Sequence, residues 1–171
     1  MVQPYIGASI TRKEDERFLT GQAVFADDVK LPGMLHATFL RSPHAHARIT
    51  AIDTTAALTI PGVAAVFTYS DIASHAKPIP VRLYPLPSLL PFLQYPLAQY
   101  KVRYVGDPVA IVVADSRYVA EDALDAIQVT YEPLPPIVDM EEALRDATLI
   151  HEAPGTNLAA HYVVSTGDID Q

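Results

Sequence analysis

The sequence predicts an α+β fold. Segments with apolar residues at strand spacing recur between residues 34 and 131, one strand–helix–strand unit covers 109–131, and no segment repeats. Several strands separated by short helices read as a mixed sheet with helices packed on it. The length agrees, because 171 residues suffice for one domain with a sizeable core.

The N-terminal stretch is polar. Thr11 followed by Glu14 has the spacing of a capping box, so a short helix is expected over Thr11–Leu19, stopped by Gly21. Asp27, Asp28 and Pro32-Gly33 mark turns. Met34–Arg41 carries apolar residues on both faces, as a central strand does. Ser42-Pro43 breaks it, and Ala47–Asp53 alternates with period two as a second strand. Asp53 or Thr54 caps a short helix over Thr55–Leu58, and Pro61-Gly62 ends it. Val63–Thr68 is a third strand, and Ser70–Ala73 one helical turn.

Lys77–Pro96 is unusual. Six of these residues are proline, so the segment is expected to be an extended loop. It is also apolar, unlike a disordered linker, so it should lie against something. Its aromatic anchors would be Tyr84, Phe92 and Tyr95.

The strand pattern returns at Lys101–Val105 and stops at Gly106-Asp107-Pro108. Val109–Ala114 is apolar throughout, the mark of a strand buried on both faces. Asp115 or Ser116 caps a helix from Arg117 to about Ile127, with Val119, Ala120, Ala123, Leu124, Ala126 and Ile127 as its apolar stripe. Val129–Tyr131 is a strand. Asp139 caps a last short helix over Met140–Arg145, and Ala159–Val164 is one more strand candidate.

Composition excludes several function classes. There is no cysteine, hence no disulfide, thiolate metal site, iron–sulfur cluster or cysteine nucleophile on this chain. The net charge of −8 argues against nucleic acid and anionic membrane surfaces as partners. No run of about 20 apolar residues spans a membrane. No secretory signal pattern stands out, so a cytoplasmic location is the default expectation.

Few residues offer chemistry. His44 and His46, two apart, would share one face of a strand and could form a metal pair completed by His36 or Asp53. Hydrogen-bonding turn histidines are the plainer reading, since Ser42-Pro43 precedes them. A metal-dependent hydrolase would need the former. Asp27, Asp28 and Asp53 read as turn and cap residues before catalytic carboxylates. Gly106-Asp107-Pro108 lacks the context of a phosphate loop, no Gly-x-Ser-x-Gly elbow occurs, and Glu121, Asp122 and Asp125 form a solvated helix face.

Five stretches in order carry more than generic pattern. They are Ile6-Gly7 through Gly21, Ala26-Asp27-Asp28 with Pro32–Ala37, Arg41–Ile49 followed by Ile52-Asp53-Thr54 and Pro61–Thr68, Val105–Ala114 running into Ser116–Ala123, and Val129–Pro135. Together they resemble the N-terminal α/β hammerhead region of the large, molybdenum-binding subunit of the xanthine dehydrogenase/aldehyde oxidase family. The nearest flavour is the bacterial multi-subunit type that includes carbon monoxide dehydrogenase.

The resemblance implies an oxidoreductase that hydroxylates carbon with oxygen from water. It implies a molybdopterin cofactor in the assembled enzyme, with [2Fe–2S] clusters and often FAD on partners, in keeping with cofactors carrying the hard chemistry. It implies one hammerhead domain over residues 1–171, with a core at about 20–135, an arm at 1–20 and an extension at 136–171 leading toward a molybdopterin-binding domain. No catalytic, cofactor-binding or metal-binding residue is carried over, so the chain alone is not expected to catalyse.

Two family roles are implied for residues here. Leu89, Leu90, Phe92 and Tyr95 would wall the substrate funnel. Arg41, His44, His46 and Arg48 would contact the remainder of the large subunit or the iron–sulfur subunit. An FAD subunit and self-association through an exposed apolar surface complete the expected partners. The competing expectation is a stand-alone binding or assembly module with no catalysis of its own.

Overall fold

The structure, a computed structural model, describes residues 6–81 and 86–167. Tyr84, expected as an aromatic anchor, lies outside the described residues. The chain divides into two compact units, Met1–Met34 and Leu35–Gln171.

In the first unit, helix α1 (Asp15–Leu19) starts later than the Thr11–Glu14 spacing predicts. Its N-cap position is Glu14, with no side-chain capping bond, and the carboxylate of Asp15 accepts the backbone N–H of Arg12 just ahead of the helix, so Thr11 does not cap it. Gly21 follows with a φ of 71°, a left-handed value that favours glycine. A 3₁₀ turn at Ala26–Asp28 is tied by the Asp28 carboxylate to the Phe25 N–H at 2.9 Å. Phe18 and Phe25 pack with ring centroids 5.5 Å apart.

The second unit holds two three-stranded sheets. Strands β1 (His36–Arg41), β5 (Pro108–Ala114) and β3 (Val63–Thr68) form one, in the order β1-β5-β3. Strands β4 (Lys101–Val102), β2 (Ala47–Asp53) and β6 (Gln128–Pro133) form the other, in the order β4-β2-β6. The α+β class stands, but every ladder among the described residues is antiparallel, not mixed. The strand–helix–strand unit explains the difference: its strands β5 and β6 enter different sheets, so they never pair.

Helix α2 (Thr55–Leu58) and helix α3 (Tyr69–Ile72) are single turns flanking β3. Asp53 accepts the Thr55 N–H at 2.9 Å. Asp71 accepts both the N–H and the hydroxyl of Thr68 at 2.7 Å. Helix α4 (Arg117–Leu124) is capped by Ser116, whose Oγ accepts the Val119 N–H at 3.2 Å. Helix α5 (Met140–Ala143) is capped by Asp139, which accepts the Glu142 N–H at 2.8 Å.

Alanines let α4 approach the first sheet closely. Ala110 and Ala114 on β5, Ala120 and Ala123 on α4 and Ala57 on α2 are all fully buried in one cluster with Val112 and Ile127. A second cluster holds Ala47, Ala98, Val102 and Val109. Ile52 and Val129 pack against both, which makes the core continuous. Burying each valine contributes roughly 1.5–3 kcal/mol relative to exposure.

Four further expectations are corrected. Strand β1 is an edge strand, and its Phe39 is 40% exposed. The Lys101–Val105 strand shrinks to Lys101–Val102, because the Asp107 carboxylate takes the Arg103 N–H and turns the chain. Residues 159–164 form no strand. The proline-rich segment is not wholly extended either: Pro87–Phe92 is a 3₁₀ helix, which its prolines allow at N1 and by fixing φ. No helix among the described residues is long and apolar enough to cross a membrane.

Candidate functional site

The proline-rich segment lies against the 149–153 segment, and a cleft of about 210 Å³ opens between them. Leu90 and Tyr95 supply its apolar wall. Arg103, Asp107, His151 and Glu152 supply its polar wall. Leu97 and Ala98, both buried, anchor the loop's exit to the core, and the Ala98 N–H donates to the Pro108 carbonyl at 2.7 Å. At the entry, the Ile79 N–H donates to the Gln94 carbonyl at 2.8 Å and closes the loop on itself.

Strand β4 holds the opposite wall. Lys101 is fully buried, and its Nζ donates to Glu152 at 2.6 Å. Arg103 donates from Nε to the Ile150 carbonyl at 3.1 Å, and its guanidinium lies 5.7 Å from the Tyr100 ring centroid. These contacts set His151 edge-on against Phe92, with centroids 5.4 Å apart. The segment is also tied within itself. Asn157 accepts the Ile150 N–H through Oδ1 at 2.9 Å and donates from Nδ2 to the carbonyls of Ala143 and Thr148.

The cleft's charges are tuned by burial. Burial pushes Lys101 below the ordinary lysine value, against the opposing pull of Glu152. Burial raises Glu152, but hydrogen bonds from Lys101 and from its own backbone, with the Lys101 and Arg103 charges, together leave the carboxyl below its ordinary value. Asp107 is raised by burial, despite accepting the Arg103 N–H. His151 drops from 6.5 to about 4, first through burial and then through the Arg103 and Lys101 cations. At neutral pH its imidazole is uncharged.

The residues singled out in the sequence fall in different places. Leu90 and Tyr95 line the cleft, and the Tyr95 ring also meets Tyr69 at 5.3 Å. Phe92 lines a neighbouring hollow of about 330 Å³ with Ile137, Met140 and His151. Leu89 lines neither, and its N–H donates to the Leu86 carbonyl within the 3₁₀ turn.

Arg41 is exposed. Its guanidinium donates to the Gly106 carbonyl at 2.9 Å and lies 5.7 Å from the Phe39 ring centroid. Arg48 is exposed on β2. His44 is half-buried, with its ring 4.8 Å from that of Tyr131. His46 is only 4% exposed, and its Nδ1 donates to the Pro135 carbonyl at 2.7 Å. Its Nε2 is buried without a partner. The two histidines thus serve different neighbours, and the described residues contain no group of three or more His, Cys, Asp or Glu placed to hold a metal ion.

Lys101, Arg103, Asp107, His151, Glu152 and Asn157 were not singled out as site residues in the sequence. One signal was present: Lys101 and Arg103 flank Val102 at period two, so both cations point to one side of the strand. Nothing local marks Asn157, whose side chain bonds backbone groups of Ala143, Thr148 and Ile150.

Comparison with known proteins places this geometry. Residues 20–135 match the family model described as aldehyde oxidase and xanthine dehydrogenase, a/b hammerhead domain. The chain is 47% identical over 148 residues to the carbon monoxide dehydrogenase large chain of Afipia carboxidovorans, covering 86% of this chain and 18% of that one. It is 36% identical over 161 residues to the xanthine dehydrogenase molybdenum-binding subunit of Escherichia coli O157:H7, covering 90% and 20%. Among solved structures, quinoline 2-oxidoreductase from Pseudomonas putida 86 superimposes with a TM-score of 0.70 at 43% identity, over 81% of this chain and 17% of that one. The chain therefore spans about a fifth of the length of these relatives.

Proposed function

Since the chain belongs to the aldehyde oxidase and xanthine dehydrogenase a/b hammerhead family, we propose that it is the hammerhead domain of a molybdenum hydroxylase large subunit. In this reading the domain walls the substrate's path and contacts its partners, while the cofactor is held by the rest of the subunit. The observation that carries it is the family match over 20–135, which includes the cleft's Leu90, Tyr95, Arg103 and Asp107.

The residues present do not fit a pterin dinucleotide. Such a group needs backbone amides clustered round phosphates. The glycines here are scattered, the closely surrounded one, Gly62, faces the Val119 and Asp115 side chains, a carboxylate that would repel phosphate, and the Gly106 N–H already donates to the Ser42 carbonyl. When bound elsewhere in the assembled enzyme, the molybdenum cofactor supplies the oxidation of a carbon centre with oxygen from water. The chain's own residues contribute a wall. Leu90 and Tyr95 exclude water and favour apolar substrate surface, and neutral His151 adds no charge to repel or trap it. With no cysteine on this chain, [2Fe–2S] clusters sit on an iron–sulfur partner, and FAD sits on a further one. A cytoplasmic location goes with this assignment.

The test is turnover by material captured from the source organism through a tag on this chain. Reduction of a dye acceptor with carbon monoxide, an N-heterocycle or an aldehyde is the expected result. Capture of a lone chain that reduces no acceptor with any of the three overturns the reading in favour of an assembly module.

A further inference from the structure

One face of the β1-β5-β3 sheet is covered by α4; the other is covered by the second core cluster at Val109 and uncovered beyond it. Across the uncovered part run Phe39, Ile111 and Phe67, aligned by the register of the three strands. Ala37, Val113 and Ala65 form the next row. Phe39 is 40% exposed and Phe67 38%, on the two edge strands that flank Ile111. Arg41 is the charged residue at its margin, and its guanidinium is already spent on Phe39 and the Gly106 carbonyl. A strand apolar on both sides, as Pro108–Ala114 is, belongs to a sheet covered on both sides.

We infer that this Phe39–Ile111–Phe67 face is the seat of the remainder of the large subunit, which lays an apolar surface across it. The inference rests on the molybdenum-hydroxylase reading and specifies the contact that reading requires. Two facts select the occupant. The relatives carry about four-fifths of their length outside the part matched here, so a permanent covalent neighbour is at hand. A second copy of this chain would bring one net charge of −8 against another, which opposes face-to-face pairing. The face has the composition of a core cut in half, which suits a permanent contact rather than an encounter surface. Covering it would give a helix–sheet–cover stack in which β5 is buried on both sides.

Hydroxyl-radical footprinting of the captured, molybdenum-containing complex tests this. Tyr118, 79% exposed on α4, is the internal reference. Phe39 and Phe67 should be labelled several-fold more slowly than Tyr118. Labelling of both rings at about half the rate of Tyr118, the ratio set by their uncovered exposures of 40% and 38% against 79%, in a complex that holds molybdenum, would overturn the docking face while leaving the domain assignment standing. A molybdenum-free homodimer with both rings protected would make a second copy the occupant and overturn both.

Discussion

The Lys101 ammonium, with no exposed surface, lies 2.6 Å from the half-exposed carboxylate of Glu152, fifty-one residues further along the chain. The pair is asymmetric. Water reaches the anion but not the cation, so the two ends of the bond tolerate loss differently.

Removing the anion strands a buried charge. Glu152→Ala should cost about 1–3 kcal/mol, because the ammonium then keeps the Leu149 carbonyl at 3.4 Å as its acceptor. Lys101→Met should cost less, since Glu152 can rehydrate and the methionine fills the same space. Chemical denaturation of the two variants checks the order, and equal losses would contradict it.

His151 makes stability depend on pH. Its folded value of about 4 lies below the unfolded 6.5, so the folded chain binds fewer protons between them. Acidification from about pH 6.5 toward 4 therefore favours unfolding. In His151→Gln that acid limb should flatten, as read from denaturation midpoints against pH. An unchanged limb would mean that other groups control it.

Asn157 holds the 143–157 segment by accepting the Ile150 N–H and donating to the Thr148 carbonyl. Asn157→Ala should speed hydrogen exchange at Ile150 and its neighbours while leaving β5 protected. Asn157→Asp should act similarly, because it keeps the acceptor but loses both donors. Uniform acceleration across the domain would show global rather than local loosening.

Leu90 and Tyr95 line the proposed approach to the cofactor. In the intact enzyme, Leu90→Trp should lower kcat/KM for bulky substrates by roughly tenfold and leave molybdenum content unchanged. A variant with wild-type selectivity would remove Leu90 from the substrate's path.

Much of the fold was legible because its signals are local. Strands Ala47–Asp53 and Val63–Thr68 and the caps Ser116 and Asp139 follow from period and capping chemistry. Strand β1 was read as central from Leu35, Ala37, Phe39 and Leu40, and that apolar pattern is real, but one of its faces is bare in this chain. The early end at Val102 depends on Asp107 capturing the Arg103 N–H, an interaction that period alone does not foretell. The apolar loop was correctly expected to lie against something. What lies opposite, at His151 and Glu152, depends on long-range pairing with Lys101 and Arg103 that no spacing reveals.

Elemental analysis of the native complex captured through this chain tests most directly whether it works as part of a molybdenum enzyme. About one molybdenum per chain is expected, accompanied by iron from the cluster-bearing partner. A complex containing the chain in full yield with neither metal would contradict it.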